Sequence, residues 1–128
     1  MKIKIGIMQG RLVPREIKSR LQSFPWKNWK NEINLLKKEK IKYLEWTIDY
    51  QNFLDNPLIE KPDYVKKILK KNKVKVKSIT ADFFMQKPIY LNNVKTDYFL
   101  KRLIDCCKII HIQYIVIPLV DNSSIKKN

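Results

Sequence analysis

The sequence contains few of the residues from which metal and redox sites are built. It has one histidine, His111, and two adjacent cysteines, Cys106 and Cys107, among 128 residues. The cysteines lack the spacing of a zinc site. They lie in a helical pattern, where neighbours point about 100° apart, so we expect buried, reduced thiols rather than a disulfide. His111 falls between a predicted helix and a predicted strand, and a single histidine does not make a site. The sequence therefore predicts no metal site within this chain.

Long apolar runs and glycine-rich turns are also missing. No stretch approaches the roughly 18 apolar residues of a transmembrane helix, and the first residues lack the longer apolar core and cleavage site of a signal peptide. The two glycines, Gly6 and Gly10, do not form Gly-x-Gly-x-x-Gly, the turn that binds nucleotide phosphates in doubly wound sheets. We therefore expect a cytoplasmic protein without a membrane partner, and the missing turn favours a barrel over a doubly wound sheet.

Arginine is scarce in a chain that is otherwise strongly basic. The formal net charge is +15, yet 23 of the 27 basic residues are lysines and four are arginines. Proteins that recognise phosphates and bases usually use more arginine, because its planar fork matches those groups. The lysines are distributed over helix faces and strand starts, and lysine, isoleucine and asparagine all have A/T-rich codons. Composition therefore accounts for the charge and disfavours a nucleic-acid partner, which stays an alternative.

What the sequence does contain is an alternation of strand and helix patterns. Apolar, β-rich runs cover 3–8, 42–49, 74–82 and 113–120, and helix-period segments follow the first three, with the second at 62–72 and the third at 96–110. Repeats of about 30 to 40 residues are typical of βα units in a (β/α)8 barrel of about 250 residues. Residues 1–128 are thus predicted to form one α/β domain, the N-terminal half of a TIM barrel with about four parallel strands and three crossover helices.

Two of the predicted strands carry polar side chains at every second position. These residues are Glu45, Thr47 and Asp49 in the second strand and Ser78, Thr80 and Asp82 in the third. In a barrel, one parity of each strand points inward, and an isolated buried charge is very costly. We therefore expect Glu45 and Asp82 to line a pocket. For Glu45 the alternative is a structural acid, bonded to neighbouring strand residues or to a loop backbone.

Polar residues also follow the first and fourth predicted strands, at the rim where barrel enzymes build their sites. The Arg11 guanidinium could bind a carboxylate or phosphate, or it could pair with a nearby acid. Asp121 and Asn122 suit sugar hydroxyls, while the two serines after them suit the N-cap of a fourth helix. No catalytic residue is predicted. The predicted substrate-binding residues are Gln9, Arg11, Glu45, Asp82, Asp121 and Asn122.

Six short motifs occur along the chain in the order that one enzyme family shows. They are Gln9-Gly10-Arg11-Leu12, Phe24-Pro25-Trp26, Leu44-Glu45-Trp46, Asp55-Asn56-Pro57-Leu58, Ala81-Asp82-Phe83-Phe84-Met85 and Val120-Asp121-Asn122-Ser123. Together they resemble the sugar phosphate isomerase/epimerase group of the xylose-isomerase-like TIM barrels, over the N-terminal half of that family's domain. The same superfamily includes endonuclease IV-type nucleases, which place metal histidines at the ends of early strands. The corresponding positions here hold Asp82 and Asp121, which argues against a nuclease.

The resemblance implies interconversion of ketoses and aldoses, or epimerisation of ketoses, by proton transfer next to a carbonyl. The substrate would be a sugar or sugar phosphate. The family uses a divalent metal (Mn, Mg, Co or Zn), held in its epimerase-like members by acids and a histidine on strands five to eight. No ligand can be carried over, so we expect this chain alone to bind no metal and to be inactive without a C-terminal half.

A second hypothesis comes from another class of protein. A four-stranded parallel sheet exposes two long edges and half of a barrel interior, a surface that promotes association unless it is covered. The chain would then be a non-catalytic, basic half-barrel that self-associates or binds nucleic acid.

Overall fold

The computed structural model describes residues 3–125 as an alternation of strands and helices. The strands are β1 (Gly6–Met8), β2 (Tyr43–Ile48), β3 (Lys75–Ala81) and β4 (Tyr114–Val116). The helices are α1 (Trp29–Lys38), α2 (Pro57–Glu60), α3 (Pro62–Asn72) and α4 (Val94–Ile110). Single turns of 3-10 helix cover Phe53–Asp55, Asp82–Met85 and Asp121–Ser123. The predicted α/β class is confirmed.

The four strands form one sheet in the order β1-β2-β3-β4, and every neighbouring pair is parallel. Each strand therefore lies beside the next one in the chain, and each connection moves in the same direction across the sheet. A doubly wound sheet reverses that direction at its switch point, and residues 3–125 show no reversal. Right-handed crossovers that all move one way place their helices on the same face.

The two faces of the sheet differ as the alternation in the sequence predicts. Leu44, Trp46 and Ile48 of β2 are buried in the hydrophobic core, together with residues of α1, α3 and α4. The opposite parity carries Glu45 on β2 and Thr80 on β3. One face is therefore the helix-packed core, and the other is a polar face that no helix covers within the described residues.

The two outer strands are shorter than the sequence predicts. The patterns at 3–8 and 113–120 suggest six and eight residues, but β1 and β4 have three each. Each of these strands pairs on one side only in the described sheet. An edge strand can form backbone hydrogen bonds only along the length of its single neighbour. In addition, Pro118, within the predicted fourth strand, has no N–H to donate. The inner strands β2 and β3 lie within one residue of their predicted bounds at each end.

The segment after β2 contains a short helix, α2, in addition to the helices that the sequence predicts. Asn56 caps α2: its side-chain oxygen accepts a hydrogen bond from the Leu58 N–H at 3.1 Å, and Pro57 takes the first helical position. The same oxygen accepts the Trp46 indole N–H at 3.1 Å. The cap thus also satisfies the one polar group of a fully buried indole.

The buried residues of the longer helices recur at helical spacing. In α1, Trp29, Ile33 and Leu36 are buried, while Trp26, which continues the same spacing toward the N-terminus, precedes the helix. The α3 helix has its predicted bounds, and α4 begins two residues earlier than predicted because Asn93 caps its first turn. None of the helices in the described part of the chain has the length and apolar character needed to cross a membrane.

The two cysteines lie on α4 and are both buried and free. Burial raises the pKa of the Cys107 thiol to about 12, and it also raises the pKa of Cys106. Both side chains are therefore neutral thiols at physiological pH, which is a poor state for nucleophilic chemistry. The expectation that both thiols are buried is confirmed.

Candidate functional site

A cleft of about 460 Å³ opens at the carboxyl ends of β2 and β3. Parallel α/β proteins bind their ligands at this edge of the sheet, and the volume lies in the range of small-molecule sites. The cleft is lined by the loop segment 19–22 and by Asp49, Tyr50, Thr80, Asp82, Met85 and Pro118.

Asp82 is the most perturbed acid of the cleft. It directly follows β3 and is only 6% exposed. Burial, together with the negative charges of Asp49 and Glu45, raises the pKa of Asp82 to about 6. No described residue donates a hydrogen bond to its carboxylate. A carboxyl group that titrates near pH 6 can accept or release a proton under physiological conditions, which suits acid–base chemistry.

Asp49, at the end of β2, holds the loop that forms one wall of the cleft. One carboxylate oxygen accepts the Phe24 N–H at 2.8 Å, and the other accepts the Trp26 indole N–H at 3.1 Å. Burial raises the pKa of Asp49, although these two hydrogen bonds and the positive charge of Arg20 oppose the shift. Asp49 is thus a positioning residue, since both of its oxygens are occupied by the loop.

Tyr50 connects the ends of β2 and β4 across the cleft. Its hydroxyl donates to an Asp121 carboxylate oxygen at 3.4 Å, and the Arg20 guanidinium lies 5.0 Å from the centre of its ring. Burial, Asp121 and Asp82 raise the pKa of the phenol. Arg20 is the only cationic side chain that lines the cleft in the described part of the chain. No pattern in the sequence marks Tyr50 or Arg20 as a site residue.

Glu45 binds its neighbours on β3 rather than lining the cleft. One carboxylate oxygen accepts the Ser78 hydroxyl at 2.6 Å, and the other accepts the Thr80 hydroxyl. This is the structural alternative that the sequence left open. Glu45 nevertheless contributes to the cleft electrostatically, because its charge raises the pKa of Asp82.

Gln9 and Arg11, predicted at the rim, also lie outside the cleft wall. Gln9 is buried, and its side-chain oxygen accepts the Thr47 N–H at 3.0 Å, while its Nε2 has no partner among residues 3–125. The Arg11 guanidinium donates to the Leu21 carbonyl at 2.7 Å. Its partner is a backbone oxygen, not the acid that the sequence suggested as an alternative.

A buried acid that sequence analysis missed holds the loop after β1. Glu32 on α1 is fully buried and accepts hydrogen bonds from the N–H groups of Gly10, Arg11 and Leu12 at 2.8–3.1 Å. Gly10 has φ +84°, and a Cβ there would lie 2.7 Å from the Ser23 carbonyl oxygen. The one signal in the sequence is that Glu32 lies beside Ile33 within the buried stripe of α1.

The turn after β4 packs against the turn after β3. The Asn122 amide donates to the Gln86 side-chain oxygen, and the buried Ser123 hydroxyl donates to the Phe84 carbonyl. The Asp121 carboxylate accepts a hydrogen bond from the hydroxyl of Tyr50, which lines the cleft. The sequence also suggests Ser123 and Ser124 as the N-cap of a helix that follows β4. That helix would lie outside the described residues.

Of the six predicted substrate-binding residues, the structure places Asp82 in the cleft wall and Asp121 in contact with that wall. The divalent metal that the resemblance implies does not fit these residues: positions 3–125 contain no group of three or more His, Cys, Asp or Glu side chains that could hold a metal ion. Comparison with models of known protein families gives no match to this chain, and comparison with curated proteins gives none either.

Proposed function

We propose that this chain forms one half of a (β/α)8 barrel and supplies a sugar-binding wall for a sugar or sugar-phosphate isomerase/epimerase. The observation that carries the proposal is the cleft at the carboxyl ends of β2 and β3, with the largely buried carboxyl group of Asp82 in its wall. The six family-like motifs support it, because two of them contribute Asp82 and Asp121.

Exposed side chains at the β4 edge of the polar face support the half-barrel part of the proposal. Tyr114 and Val116 on β4 lie beside Ser78 and Thr80 of β3 and are 65% and 45% exposed. Parallel sheets are normally covered on both faces. In a closed barrel this face would be the interior, and further strands would cover it. These strands would come from a C-terminal half or from a second copy of the chain.

The described residues of the cleft can form hydrogen bonds to hydroxyl groups, and one of them can accept or release a proton. The Asp82 carboxyl group, with its pKa near 6, can hold or release the proton that moves next to a sugar carbonyl. Asp49 holds Phe24 and Trp26, which follow the wall segment 19–22 in the same loop, by two hydrogen bonds. Because no metal ligands are found among residues 3–125, we assign no metal-dependent step to them.

The proposal predicts that a monosaccharide binds in the cleft. Titration with D-fructose should shift the backbone amide resonances of Tyr50, Thr80 and Asp82 in nitrogen–proton correlation spectra. Asp82→Ala should weaken binding on the order of tenfold, the usual cost of losing a hydrogen bond to a charged group. Asp63→Ala, at an exposed position in the first turn of α3, is the matched control and should leave affinity unchanged. Shifts confined to other surfaces, or none, would contradict the proposal.

A second candidate function, nucleic-acid binding, is favoured by one observation. Along the sequence the lysines are dispersed, but the fold gathers many of them at the amino ends of the strands. The Lys75 N–H donates to the Lys42 carbonyl at 2.7 Å, which places two strand starts side by side. An adjoining groove of about 290 Å³ has an apolar floor, and its basic residues are Lys66, Lys70, Lys75, Lys77 and His111.

Salt dependence tests this second candidate. If the basic end contacts about five phosphates, affinity for a 20-base-pair duplex should fall by roughly 500-fold between 50 and 200 mM salt. The triple variant Lys42→Gln, Lys70→Gln, Lys75→Gln should flatten the salt slope by about three. The control Lys27→Gln, Lys95→Gln, Lys101→Gln removes the same charge from exposed positions elsewhere. Equal losses in both variants would indicate attraction by net charge alone.

A further inference from the structure

We propose that the cleft selects a neutral sugar over its phosphate ester, an inference that rests on the proposed function and names the substrate class. The balance of charge in the cleft is the first argument. Two of the residues that line it are acids, Asp49 and Asp82, and Arg20 is the one lining cation in the described part of the chain. Asp121, which accepts the Tyr50 hydroxyl, places a third carboxylate beside the cleft.

The single cation of the cleft lies against an aromatic ring. The Arg20 guanidinium lies over the Tyr50 ring, and its charge acts on Asp49. Arg11, the other arginine near this rim, donates to the Leu21 carbonyl and to the Met8 sulfur and lies outside the cleft wall. A phosphate monoester carries nearly two negative charges above pH 7. It would therefore meet several carboxylates and a single guanidinium.

The hydrogen-bonding needs of the cleft point to the same class of ligand. Asp82 is 6% exposed, and its carboxylate has no donor among residues 3–125. The Asp82 oxygens are not among the fully buried atoms that lack a partner, so a ligand can reach them, and sugar hydroxyl groups supply donors. The hydroxyl groups of a sugar phosphate can donate as well, but its phosphate group adds only acceptors and negative charge beside the carboxylates of the cleft.

The preference should depend on pH through Asp82. The groups that act on it are the carboxylates of Asp49 and Glu45, and the Tyr50 phenol lies on the same cleft wall with Arg20 above its ring. Below about pH 6 the Asp82 carboxyl group is protonated, and the phosphate ester becomes a monoanion. Repulsion then weakens, and the discrimination between the two sugars shrinks.

The experiment compares D-fructose, D-fructose 6-phosphate and inorganic phosphate by amide chemical-shift titration of Tyr50, Thr80 and Asp82. At pH 7.5 the free sugar should bind tighter than its phosphate ester by on the order of tenfold, given like charges at short range. At pH 5 that ratio should fall toward two or three. Asp82→Asn at pH 7.5 should lower the ratio only part of the way toward its pH 5 value, because the amide carries no charge but the phosphate ester is still close to a dianion.

The outcomes separate this inference from the proposed function. Equal or tighter binding of the phosphate ester would overturn the inference and leave the sugar-binding wall standing. Inorganic phosphate that shifts the same resonances at pH 7.5 would also overturn it, because the cleft would then be an anion site. Failure of both sugars to bind would overturn the proposed function together with the inference.

Discussion

Replacing Asp82 by asparagine should stabilise the folded protein at neutral pH by about 2–3 kcal/mol. The pKa of Asp82 in the folded protein is about 6, above its ordinary value of 3.8, and each unit is worth about 1.4 kcal/mol. Because the folded value is the higher one, the protonated form favours folding. The stabilising contribution of the carboxyl group is complete below pH 4 and is lost as the pH rises through 6.

Denaturant unfolding at several pH values measures this effect. The variant and the parent chain should have similar free energies of unfolding at pH 4, and the difference should grow until about pH 7. Asp49 has a pKa shift of the same sign, so some pH dependence should remain in the variant. Asp63→Asn, an exposed control, should change stability by at most about 0.5 kcal/mol. Equal stability of parent and Asp82→Asn at pH 7.5 would show that the carboxylate is well solvated or paired.

Replacing Glu32 by alanine should destabilise the protein by about 3–4 kcal/mol. The carboxylate accepts three backbone N–H groups of the loop after β1, and each hydrogen bond to a charged group contributes about 1.5–3 kcal/mol. Water can reach part of the opened loop, which keeps the loss below the sum. The expected fall in melting temperature is on the order of 10–15 °C.

Two further variants show whether the hydrogen bonds or the helix account for that loss. Glu32→Gln keeps one acceptor oxygen and should retain part of the stability. Glu39→Ala changes an exposed glutamate next to the end of the same helix and should cost less than about 0.5 kcal/mol. A loss in Glu39→Ala as large as that in Glu32→Ala would mean that helix propensity, not the loop, accounts for the effect.

The polar alternation on β2 and β3 shows what a sequence pattern can predict about a site. The side-chain period of a strand is two, so Glu45, Ser78 and Thr80 were expected on one face, and the structure places them there. Asp82 was expected in a pocket because an isolated buried carboxylate is costly and therefore needs a partner or a ligand. Both predictions depend only on local geometry, which the sequence specifies directly.

Predictions that depended on which residues meet across the fold were less complete. Nothing near Arg20 in the sequence indicates Tyr50, since 30 residues separate them and their contact depends on the path of the loop after β1. Glu32 stands in a buried helical stripe, but its partners lie about 20 residues upstream. The short extent of β1 and β4 likewise follows from having a partner on one side only.

The sequence by itself determined the α/β class, the helix stripes, the order of strands and helices, and the parity of the polar residues. Tertiary structure decided that Asp49 holds a loop, that Glu45 is bonded to β3, and that Asp82 has no donor. It also gathered dispersed lysines at one end of the sheet. The physical reason is one of range. Side-chain periodicity and helix capping depend on residues a few positions apart in the sequence, whereas burial and electrostatic interactions depend on groups that only the folded chain brings together.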